Sequence, residues 1–161
     1  MIRAAIPFLL SLAVSVAAEA QSVSATLSAS MPPLARLSLS ANNLSFPDAD
    51  PDLVPQVLAS GGPITITAKA RAAHDGLVTL TVQASDDLRS GIEVLPASLI
   101  TWTGSGPGFV NGTLSRTSAQ VVATWLGSGV RTGTLTYRFE NRWTHPAGIY
   151  TVTLVYTLVA P

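Results

Sequence analysis

Apolar and polar side chains alternate along most of this chain with the period of two that sends one set to each face of a β-strand. The clearest case is residues 149–161, where Tyr150, Val152, Leu154, Tyr156 and Leu158 share one face and Thr151, Thr153, Val155 and Thr157 the other. The pattern predicts one long strand that closes the chain and buries its aromatic and aliphatic face in the core. Residues 63–71 and 77–84 alternate in the same way, and residues 72–76, ending in Asp75 and Gly76, read as a hairpin-type connection. Shorter strands are predicted at 92–95, 99–103, 109–115, 120–125 and 134–139, set apart by glycine-rich breaks at 104–108, 127–129 and Gly133. Before them, 34–40 and 44–46 read as one extended stretch interrupted at Asn42 and Asn43, and a polar, proline-punctuated loop follows from Pro47 to Pro63. Many short strands with no helical period predict an all-β fold, an immunoglobulin-like antiparallel β-sandwich, with a closed barrel as the alternative.

The pattern changes at the N-terminus. Arg3 supplies one positive charge, residues 4–17 are apolar without a charge, and Ala18 and Ala20 flank Glu19 as a small-x-small site. These three parts predict a cleaved signal peptide over residues 1–20. The run is shorter than the ~20 residues that span a bilayer and contains Pro7, which argues against a permanent anchor. The expected product is exported, to the periplasm, the cell surface or beyond, with no membrane span after cleavage. Residues 21–33 then form a light N-terminal strand and a Pro-Pro spacer, and residues 34–161 the sandwich domain. In the light strand Val23, Ala25, Leu27 and Ala29 alternate with Ser22, Ser24, Thr26 and Ser28, and Pro32 and Pro33 follow. Three readings stay open for it: a first strand of the same domain, a strand donated to a partner, or a loose tail.

Charge and cysteine content narrow the classes. The chain has nine basic and nine acidic side chains, and removing Arg3 and Glu19 takes one of each, so the formal charge stays at zero. Nucleic acids and anionic membranes select basic surfaces, so neither is expected as a partner, whereas zero net charge favours self-association. With no cysteine, stability must come from packing and ladder hydrogen bonds rather than disulfides, and thiolate metal sites are excluded.

Candidate chemistry is sparse, and no cofactor is expected. Asp48, Asp50 and Asp52 alternate as a weak calcium candidate, but Pro51 intrudes, Leu53 stands where an EF-hand needs glycine, and Ala59 where it needs glutamate. A solvated loop with Asp-Pro turns is the better reading. Trp102 and Trp125 sit in apolar alternation and read as core. Trp143 lies in the polar stretch 140–146, where it reads as a core plug or as a contact for a polysaccharide or protein partner. His74 and Asp75 are adjacent in a turn, His145 is a lone loop histidine, and no Gly-x-Ser-x-Gly elbow or placed carboxylate pair occurs, so no enzyme is expected. Asn111, Gly112 and Thr113 match a glycosylation sequon and read first as an Asn-Gly turn.

An export signal, an alternating N-terminal strand, β-rich sequence and a closing strand bearing Gly148, Tyr150, Leu154 and Tyr156 together resemble the secreted sandwiches of bacterial spore coat U and fimbrial subunits. The chain differs from that group in lacking its usual cysteines and in carrying Ala160 near the end. The resemblance implies an incomplete immunoglobulin-like fold, completed by an assembly chaperone and then by a neighbour's N-terminal extension, here with Val23, Ala25, Leu27 and Ala29 as the inserted side chains. The expected function is that of a non-enzymatic structural or surface-assembly subunit. The alternative is a small secreted module that binds carbohydrate or an envelope partner.

Overall fold

The computed structural model describes residues 26–161. The chain divides into two units, Met1–Ser30 and Met31–Pro161. In the first, residues 26–30 are exposed and carry no regular secondary structure, and the predicted signal peptide lies outside the described residues.

The second unit is all-β with antiparallel pairing throughout. One sheet has the order β1 (Leu34–Leu39), β3 (Ile64–Arg71), β10 (Gly129–Glu140), β7 (Ile100–Ser105), β8 (Gly112–Thr113), and β2 (Gln56–Leu58) pairs with the far end of β10. A second sheet has the order β11 (Leu154–Val159), β4 (Leu77–Ala84), β9 (Gln120–Leu126). A small hairpin joins β5 (Leu88–Ser90) to β6 (Glu93–Leu95).

Alternation explains the layering. β3 turns Ile64, Ile66, Ala68 and Ala70 inward, β4 turns Val78, Leu80, Val82 and Ala84 inward, and both sets belong to one buried cluster with Trp102, Val122, Leu135 and Tyr137. Two strands that are each strongly apolar on one face bury more surface by facing each other than by pairing edge to edge. Residues 72–76 are therefore not a hairpin: β3 and β4 lie in different sheets, and the segment crosses between layers. The connection from β9 to β10 crosses back beside it. Ser128 Oγ accepts from Ala72 N and donates to Ala72 O, both at 3.0 Å, and Gly127 N donates to Gly76 O at 2.9 Å. Gly127 has φ +69°, a conformation that side chains with a Cβ rarely adopt.

Other expectations change as well. Gly133 does not break a strand: it sits inside β10 opposite Ile66, where the absence of a side chain lets the Phe109 ring pack against the backbone. The 109–115 stretch keeps strand pairing only at β8, because residues 108–110 turn away to bond with β9. The closing strand is ladder-paired only from Leu154 to Val159. Before that the chain touches the 85–89 segment, through paired bonds between Thr151 and Arg89 and a bond from Ser85 N to Thr153 O.

Candidate functional site: the seam between two edge strands

The two long margins of the layered domain are closed differently. On one margin the 106–110 loop is bonded to β9: Val110 N donates to Val122 O at 2.9 Å and Thr124 N to Gly108 O at 3.1 Å, with a bridge between Phe109 and Ala123. Backbone hydrogen bonds thus join the two sheets there. On the other margin β1 and β11 are the outermost strands of their sheets and come near each other, yet no ladder links them among the described residues.

That margin is lined by apolar side chains that are only half buried. Leu37 comes from β1 and Leu154, Tyr156 and Leu158 from β11, all packed against the core cluster, as are Leu44 and Phe46 in the stretch after β1. Leu34 and Leu39, at the ends of β1, are 47% and 37% exposed. β1 runs antiparallel to β3 and β11 antiparallel to β4, so among the described residues each presents an outer row of unpaired backbone groups. Unpaired edges over partly wet apolar surface are a template for a further strand.

Among the described residues one side-chain hydrogen bond crosses this seam. The hydroxyls of Tyr137, on β10, and Tyr156, on β11, share a hydrogen bond of 2.5 Å that ties the two sheets together. Burial pushes the Tyr137 phenol far above the ordinary tyrosine range, helped by Tyr156 beside it, and burial also raises Tyr156.

The residues singled out in the sequence fall in three places. Tyr150, Val152, Leu154, Tyr156 and Leu158 pack on the core half buried rather than fully buried: the last three lie on β11, an outermost strand with a ladder on one flank only, and the first two precede that ladder. Leu27 is 97% exposed, Ala29 is exposed, and Val23 and Ala25 lie outside the described residues. Trp143 is 70% exposed on a loop, where its Nε1 donates to Asp52 Oδ1 at 3.1 Å.

That hydrogen bond belongs to a set that fastens the 47–55 loop to the end of β10. Asn141 Nδ2 donates to Ala49 O and Val54 O, and Asn141 N to Pro55 O. Asp50 Oδ1 accepts from Asp52 N at 2.9 Å, a local turn contact. Asp48, Asp50 and Asp52 do not converge, and among the described residues no group of three or more His, Cys, Asp or Glu side chains is placed to hold a metal ion. Trp102 and Trp125 are buried, the first donating from Nε1 to Val110 O at 2.9 Å. His74 and Asp75 are both exposed.

The sequence pattern did not reveal that Leu37 on β1 or Tyr137 on β10 would come up against the closing strand. Each reads locally as an ordinary strand or loop residue, and only the strand order makes them neighbours of β11.

No family model and no curated sequence matches the chain. Among the described residues no helix is long and apolar enough to cross a membrane.

Proposed function

We propose that this chain is an exported, non-enzymatic structural subunit, pilin-like or coat-like, with an immunoglobulin-like sandwich that associates by β-strand addition. The observation that carries this reading is the seam: two edges that are unpaired among the described residues flank Leu37, Leu154, Tyr156 and Leu158, which are half buried although they pack against the core. A strand laid there gains main-chain bonds and apolar burial together. The segment best suited to it is the uncharged alternation Val23, Ala25, Leu27 and Ala29 of a neighbouring copy, stiffened where it meets its own domain by Pro32 and Pro33. An assembly chaperone would fill the same seam before assembly.

Size-exclusion with light scattering, on the chain from Gln21 and on one starting at Met31, tests the reading. The longer chain is expected to form higher-order species and the shorter one to remain monomeric, and Leu27→Asp in the longer chain should have the effect of the truncation. Monomers of equal stability in all three would sink it.

A second reading has its own observation. Trp143 holds a large aromatic face in solvent while a hydrogen bond to Asp52 fixes its orientation, a preorganised platform for a sugar ring or a partner side chain. Retention on insoluble polysaccharide should fall for Trp143→Ala, and equal retention by the two proteins removes this reading.

A further inference from the structure

The outer face of the larger sheet carries an uncompensated charge. Arg36 on β1 and Lys69 on β3 are direct cross-strand partners, so their side chains leave the same face about 5 Å apart at Cβ. Arg71, two residues beyond Lys69, joins them on that face. All three are exposed, and none belongs to an ion pair: the described pairs are Arg89 with Asp86, Arg116 with Asp87, Arg142 with Glu140, and His74 with Asp75. Ser38 and Thr67, the next cross-strand pair, add hydroxyls, and with Arg36 and Lys69 they line a shallow cavity. Asp75, the nearest carboxylate along the chain, belongs to the crossover that leads to the other sheet. Like charges placed directly opposite on a strand pair are destabilising. The corner therefore gains from any partner that brings carboxylates.

The same domain carries such a group at its other end. Lys69 is paired with Val130 near the start of β10, whereas the Asp48, Asp50 and Asp52 loop is bonded to Asn141 just past its end. Ten residues of strand separate Val130 from Glu140, roughly 34 Å at the usual rise. The three carboxylates are exposed and in no ion pair among the described residues, and nearby Glu140 and Arg142 neutralise each other. Arg138 is turned to Thr103 on the sheet face, its Nη1 donating to Oγ1 at 2.7 Å. A chain with zero net charge is thus polarised, cationic at one end and acidic at the other.

We propose that copies of this chain meet end to end, the Arg36, Lys69 and Arg71 corner of one copy receiving the Asp48, Asp50 and Asp52 loop of the next. The contact joins two different surfaces, so it propagates as a row rather than closing as a two-fold dimer. It extends the strand-addition reading and agrees with it in direction. The chain enters β1 at the cationic end, where Arg71 Nη1 reaches Pro32 O at 3.5 Å, so a neighbour that takes up the preceding segment lies off that same end. Opposite charges at facing ends bring the copies together and set which end faces which.

Charge reversal on the chain from Gln21 tests this, read by sedimentation velocity and light-scattering kinetics. Arg36→Glu with Lys69→Glu, and separately Asp48→Lys with Asp50→Lys, should each slow assembly roughly tenfold or more at low salt. A mixture of the two reversed proteins should recover it. The parent should lose the same advantage in ~1 M salt, where the screening length is about 3 Å. Circular dichroism and urea midpoints check that each protein is folded. Unchanged rates in either reversed protein, no recovery on mixing, or loss of binding to dextran sulfate with self-association intact overturns the proposal. Leu27→Asp separates the two ideas: that variant should run as a monomer on size-exclusion, yet in low salt sedimentation velocity should still show a rapid, salt-dependent pairing too short-lived to survive the column. If Leu27→Asp leaves assembly untouched while charge reversal abolishes it, strand addition fails and the end-to-end contact stands.

Discussion

At Gly133 a single missing side chain holds the core together. A Cβ built there would meet the ring of Phe109, which is itself buried under β10 and bonded through its neighbours to β9. Gly133→Ala should lower stability by about 1–3 kcal/mol, the usual cost of an extra methyl in a packed core, read as a lower urea midpoint with unchanged slope. The Tyr137 and Tyr156 pair makes a second prediction. Both phenols hold their protons more tightly when folded than an ordinary tyrosine does, so the folded state binds more protons than the unfolded state above pH ~10. Stability from this pair is complete below that value and is lost as pH rises past it. Tyr137→Phe should flatten the alkaline fall in denaturation midpoint, and equal slopes in parent and variant would show that the pair does not control it.

Among the elements, β3 and β4 were legible in the sequence almost residue for residue, since alternation survives wherever one face is fully buried. β2 was hidden in a loop rich in proline and aspartate because its three residues are held by β10 rather than by any pattern of their own. The closing strand was legible as a strand but not in extent or depth: its partner β4 ends at Ala84, which fixes where pairing with Leu154 begins. β1 is the most exposed of the longer strands, with Leu37 as its one half-buried side chain. If a donated strand fills the seam, amide exchange should slow in β1 and β11 on assembly and stay unchanged in β3 and β10, which are already paired on both flanks. Uniform slowing across all strands would point to general burial instead.

For the domain as a whole, the arrangement that matters is the contrast between a margin closed by backbone bonds and a margin where, among the described residues, side chains but no ladder join the two sheets. The sequence by itself determined the all-β class, the inward faces of the long strands and the absence of cysteine, because period, propensity and composition are local properties. It also exposed the unusual residues Trp143, Asp48, Asp50 and Asp52, without saying which of them meet. The tertiary structure alone decided that Trp143 lies against Asp52, that residues 72–76 cross between sheets, and that Arg36 stands beside Lys69. Those are consequences of strand order and register, which depend on pairings between residues tens of positions apart. No local window of the chain contains that information.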